Sequence, residues 1–159
     1  MKKIFLTLAI FFITLNVNAT EIFSTSNTLN EKYLTIINDY YKCRVLQLNL
    51  TKEERLITAN IRNELYARVE CYINIANDLF DTFYTNNAQT YKNNLKNLVS
   101  SYSKVLSDKY DAMDFYPEGN ITEDYIASDL EHFTDNLVSE YIKQTGQVID
   151  IKNNILDKE

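Results

Sequence analysis

Side chains able to do chemistry are few in this chain, and most of them lie in one stretch. His132 is the only histidine, with Asp129 and Asp135 three residues to either side and Asn136 four beyond. Asp129-x-x-His132 has the spacing of an acid-x-x-His step in a di-iron bundle. Such a centre needs two of these steps and two more inward carboxylates. With one histidine lying off the apolar stripe of its helix, a surface His–Asp pair is the stronger reading, ahead of a metal ligand or a catalytic base. Asp114 to Tyr125 sets Gly119 at the sixth position of a calcium loop, but Tyr116 stands third and Tyr125 twelfth, where a bidentate Glu is required. Weak cation binding by the acidic surface stays open. A nucleophilic Ser would have to share the single His, and a carboxylate pair for glycoside hydrolysis has no Trp to line a sugar cleft. No cofactor and no catalytic residue are expected.

Charge is distributed unevenly. Tyr110 to Ile142 holds no Lys or Arg but carries nine acids: Asp111, Asp114, Glu118, Glu123, Asp124, Asp129, Glu131, Asp135 and Glu140. All four arginines (Arg44, Arg55, Arg62 and Arg68) lie in the first half of the sequence. One reading is a solvated acidic helix neutralised by its Arg-bearing neighbour. The other is a docking face for a basic protein, steered by the focused field. On the second reading Glu118, Glu123, Tyr125, Asp129, Glu131 and Asp135 form the partner-binding set. Twelve tyrosines add amphipathic surface, with Tyr40, Tyr72, Tyr102 and Tyr141 on core stripes and Tyr41, Tyr66, Tyr84, Tyr110, Tyr116 and Tyr125 off or beside them. The acidic balance argues against nucleic acid as the partner.

Cys43 and Cys71 are the only cysteines, too few for a zinc site with one His. Export would favour their pairing. A tight turn at Asn49–Thr51 would leave Cys71 about 21 Å along its helix from Cys43, whereas a disulfide tolerates Cα atoms only about 7 Å apart. Pairing therefore requires the chain to reverse near residue 57. Thr51–Leu56 then becomes one helical turn inside a longer connection, and the main second helix starts around Asn60. Free buried thiols or an intermolecular bond are the alternatives.

The first nineteen residues read as an export signal: Lys2 and Lys3, an apolar run from Ile4 to Leu15, then Val17-Asn18-Ala19 before a cut at Thr20. Removing them leaves 140 residues and takes two lysines, moving the net charge from −6 to −8. The apolar run is too short for a membrane span. The form of the signal and the nineteen Asn suggest a bacterial periplasm, so the expected location is periplasmic or secreted. Asn49-Leu50-Thr51 and Asn120-Ile121-Thr122 match glycosylation acceptors, but their threonines are better explained as helix caps.

With two Gly and one Pro in 159 residues, neither a β-sandwich nor a Gly-rich phosphate loop can be built. Four helical segments fill the chain instead. The first opens at the Thr28–Glu31 capping box, with Leu29, Tyr33, Ile36, Ile37, Tyr40 and Cys43 inward. The second opens at another capping box, Thr51–Glu54, unless the disulfide moves its start to about Asn60, and carries Ile57, Ile61, Leu65, Val69, Tyr72, Ala76, Leu79 and Phe83. The third follows Thr85-Asn86-Asn87 with Tyr91, Leu95, Leu98, Tyr102, Val105 and Ala112. The fourth opens at Thr122 with Ile126, Leu130, Phe133, Leu137 and Tyr141, continuing to Val148, Ile151 and Ile155 if Gly146 does not end it. Pro117 and Gly119 mark the strongest break, Asp114–Ile121.

The fold expected is all-α, an antiparallel up-down-up-down four-helix bundle with one disulfide, forming a single domain over residues 20–159. No motif marks a named family. Two functions follow as expectations. One is a non-enzymatic exported interaction protein, such as an inhibitor or immunity protein, holding a basic protein on its acidic face. The other is a small-ligand or metal-binding bundle, or a minor hydrolase, with a pocket between helices.

Overall fold

The computed structural model describes residues 26–54, 57–112 and 120–156. Residues 1–25, which include the expected export signal, Arg55 and the Asp114–Gly119 stretch with Glu118 and Tyr116 lie outside the described residues. The described residues form four helices: α1 (Ser26–Arg44), α2 (Thr58–Phe83), α3 (Ala88–Asp111) and α4 (Asn120–Leu156). No strand occurs among the described residues, and no helix there is long and apolar enough to cross a membrane.

α2 and α4 form the central pair, with α1 and α3 on opposite flanks and not approaching each other. Contacts fix the sense of each helix. Tyr33 meets Phe83 while Tyr40 meets Tyr72, so α1 and α2 run oppositely. Tyr102 meets Phe133 while Tyr110 meets Tyr125, so α3 and α4 do too. α2 and α4 rise together, from Arg62 beside Asp124 to Phe80 beside Tyr141. The core between them holds Tyr72, Leu79, Phe80, Leu95, Leu106 and Val138, each almost fully buried.

A disulfide joins Cys43 to Cys71, with Cα atoms 5.6 Å apart. The reversal near residue 57 that this bond demands is present, because α2 starts at Thr58. The Thr51–Glu54 capping box is formed, but it stands on an isolated turn rather than on a long helix. Thr51 N donates to Glu54 Oε2 (2.8 Å) and Glu54 N to Thr51 Oγ1 (3.2 Å). Arg68 Nε donates to the Leu46 carbonyl (3.0 Å) and Asn60 Nδ2 to that of Glu54 (2.8 Å), tying this connection back onto α2.

Four details differ from the sequence pattern. α1 begins at Ser26, two residues before the Thr28 box, and α4 at Asn120, two before Thr122. Ile57 and Ile61 are exposed (52% and 49%), because α1 ends opposite Cys71 and leaves the first turns of α2 uncovered on that side. In α3 the inward positions are Ala88, Tyr91, Leu95, Val99, Tyr102, Leu106 and Tyr110. Those steps of three, four and four follow a straight helix, whereas alternating fours and threes drift off it. Leu98, Val105 and Ala112 consequently face outward. α4 passes through Gly146 without a break.

Candidate functional site

α4 touches all three other helices, so a residue on it can be inward from several directions. This decides the fate of its acids. At about 100° per residue, positions 123, 129, 131 and 135 cannot share a face, and the structure distributes them among different neighbours.

Asp135 is buried at 8% exposure, not on an outer face. Arg44 clasps it with two bonds, Nε to Oδ1 at 3.1 Å and Nη2 to Oδ2 at 2.6 Å, and the Tyr40 hydroxyl donates to Oδ1 at 2.6 Å. Burial works to raise the Asp135 pKa, but the hydrogen bonds from Arg44 and Tyr40 and the guanidinium charge outweigh it and hold the carboxyl below its usual value. The Tyr40 phenol is pushed up to about 12 by burial and by its bond to Asp135. The Tyr40 ring packs 5.8 Å from that of Tyr72, whose hydroxyl donates to Glu131 Oε1 at 3.1 Å. Burial, then the charges of Asp135 and Glu131, raise the Tyr72 phenol further.

Glu123 and Asp124 both pair with Arg62, whose Nε lies 3.1 Å from Asp124 Oδ1. The Glu123 side chain remains 56% exposed while that of Arg62 is 16%. Arg68 serves α2 itself, bonding Glu64 at 3.0 Å. Two of the four arginines, Arg44 and Arg62, thus neutralise α4 acids inside the bundle.

One outward group remains at the α3–α4 edge. Tyr125 is 45% exposed and stacks on Tyr110, with ring centres 5.8 Å apart and planes 18° from parallel. The Tyr110 hydroxyl donates to Asp129 Oδ2 at 2.8 Å, and Lys109 Nζ lies 3.3 Å from the same oxygen. Lys109 also sits over the Tyr110 ring, 4.4 Å from its centre. Burial, with the bond to Asp129, raises the Tyr110 phenol. The edge therefore offers an oriented aromatic face bordered by the Asp129 carboxylate and Lys109.

His132 lies exposed on α4. Among the described residues no group of three or more His, Cys, Asp or Glu side chains could hold a metal ion. The inward clamp Arg44–Asp135–Tyr40 was missed by sequence reasoning. Its one signal is that Asp135 falls one residue from Thr134 within the apolar spacing of Leu130 and Leu137. Comparison with protein-family models, with curated proteins and with solved structures finds no match to this chain.

Proposed function

We propose that the chain is an exported, non-enzymatic interaction protein that binds a basic protein partner, in the manner of an inhibitor or immunity protein. The docking edge is where the end of α3 meets the start of α4. The observation that carries this reading is Tyr125, held on the Tyr110 ring one turn from Asp129, whose side chain still reaches solvent (39%); Glu123 (56%) turns toward Arg62 and lies beside this edge rather than on it. An amphipathic ring beside acids suits a lysine- or arginine-bearing surface, since the ring packs the aliphatic stem and the carboxylates receive the charge. Glu118 adjoins this edge in sequence. Glu131 is bonded by Tyr72 of α2, and Asp135 positions α1 rather than meeting the partner. The Cys43–Cys71 bond supports export to an oxidising periplasmic or extracellular space.

The test is capture from a periplasmic extract on the immobilised protein and on its Tyr125→Ala/Asp129→Asn variant. A basic protein should be retained by the former, released as salt rises, and lost from the latter. Equal retention by both proteins, or retention insensitive to salt, would sink the proposal. Both substitutions fall at partly exposed positions, so matched thermal stability serves as the folding control.

A further inference from the structure

On the flank of α1 away from the core runs a second apolar stripe. Leu34 is 57% exposed, Tyr41 56% and Val45, just past the last turn, 74%. Half-buried Ile37 borders them. Steps of three, four and four set these residues along one side of the helix, apart from the side that buries Ile36, Tyr40 and Cys43. Tyr41 is steadied by the Tyr40 ring, 5.6 Å away.

We propose that this flank is a self-association surface, on which α1 packs antiparallel against α1 of a second copy about a two-fold axis between Ile37 and Asn38. Three features select a second copy as the occupant. The stripe is self-complementary: with the axis there, Leu34 meets the partner's Tyr41 and Tyr41 meets the partner's Leu34. Exposed Asn38 falls beside the partner's Asn38. Each amide carries both donors and an acceptor, so the two can satisfy one another, and a lone Asn at an apolar seam fixes its register. The charges also match. Glu31 and Lys42 are both exposed and lie on the same edge of the stripe. They stand at opposite ends and similar distances from the axis, so each Glu31 meets the partner's Lys42. The Lys42–Asp39 bridge within α1 is open to solvent at both side chains (75% and 42%) and does little to hold Lys42 back. An isologous contact of this kind closes on itself as a dimer.

Sedimentation equilibrium of the purified, disulfide-intact protein tests this surface. A concentration-dependent dimer is expected, and Tyr41→Glu should be monomeric throughout. Glu31→Lys alone and Lys42→Glu alone should each weaken the dimer about fivefold at low salt, the scale of two exposed ion pairs. The double reversal Glu31→Lys/Lys42→Glu should restore it. If Tyr41→Glu fails to fold, Leu34→Ser at the other exposed position replaces it. A monomer at every concentration overturns the proposal, as does a dimer indifferent to Tyr41 and Leu34 or a double reversal that restores nothing.

Discussion

The half of the bundle beside the Tyr84–Asn87 turn and the half around Asp135 and Arg62 are held by different forces. In the first, Phe80 is enclosed by the rings of Tyr84, Tyr91 and Tyr141, with centres 6.0, 5.5 and 5.2 Å away. Its polar atoms are settled locally: the Thr145 hydroxyl gives its proton to the Tyr141 carbonyl, so the Tyr84 hydroxyl donates to Thr145 at 2.9 Å. In the second, arginines and tyrosines hold carboxylates, and a disulfide joins two of the helices. Connectivity accounts for the contrast. α2 and α3 are linked by a tight turn, which brings their apolar faces together and leaves packing to do the rest. The links that lead into α2 and into α4 at the other end are longer, so directional contacts must place those helices.

Removing Phe80 should have the largest effect. Phe80→Ala empties a site that is 1% exposed and walled by stiff rings, and should cost about 4 kcal/mol. Urea denaturation measures this; a loss under about 1.5 kcal/mol would show the aromatic half collapsing around the void. Next is the Cys43→Ala/Cys71→Ala pair, which frees a loop with a separation of 28 residues in the unfolded chain. The expected loss is about 3 kcal/mol. Thiol titration of the unfolded, unreduced parent should detect no free thiol.

The two halves should also answer differently to acid, although both carry phenols raised by burial. Asp135 has a folded-state pKa below its unfolded value. Its contribution is therefore complete above about pH 4 and lost as pH falls through the folded value. Asp135→Asn should cost about 2 kcal/mol at neutral pH, toward the low side for a buried pair because Arg44 can turn to water. Stability curves of variant and parent should converge in acid; a constant gap down to pH 2 would mean that the charge plays no part. In the aromatic half, burial raises the phenols of Tyr84, Tyr91 and Tyr141. Raised acids of this kind keep the neutral form in the fold. Their contribution is present below about pH 10 and is lost as pH rises beyond it. Phenolate absorbance should appear together with unfolding, rather than before it.

The stripe of α2 was legible in the sequence, but the centre of the aromatic half was not: Phe80 stands outside that stripe and Tyr84 reads as lying beside it, yet both pack into the core. Val69, Tyr72, Ala76, Leu79 and Phe83 keep a regular stripe, and a long apolar period survives errors of a residue or two. The disulfide was legible as well, because bond reach and helix rise together left one place for the chain to turn. Thr51–Glu54 shows what local chemistry cannot tell: a capping box satisfies its two amides equally well on one turn or at the head of a long helix. Asp135 was legible as an acid but not as an inward one, and Glu123 not as a partner of Arg62. Their partners Arg44 and Arg62 lie on other helices, and azimuth around α4 is settled only once three neighbours are in place. The Tyr125–Tyr110–Asp129 edge likewise depends on how α3 returns beside α4.

Gly146 gives the finest test of how tightly the aromatic half is fitted. In mid-helix, alanine is favoured over glycine by about 1 kcal/mol, so Gly146→Ala would stabilise α4 if the space beside it were open. It is not open: an added Cβ would overlap the Tyr33 hydroxyl and stand 2.9 Å from Cζ. That hydroxyl donates to the Ile142 carbonyl at 2.7 Å, while the Tyr33 ring rests edge-on against Phe83 at 6.1 Å. Alanine must push the ring aside and weaken a hydrogen bond contributing about 1 kcal/mol, which cancels or slightly exceeds the propensity gain. In a Tyr33→Phe background the overlapping oxygen and its hydrogen bond are both absent, so the same Gly146→Ala change should stabilise by a few tenths of a kcal/mol. A double-mutant cycle by thermal unfolding should accordingly return a coupling of about 0.5 kcal/mol. If Gly146→Ala stabilises the parent as much as the Tyr33→Phe protein, the ring moves freely, and the aromatic half owes its cohesion to buried area rather than to fit.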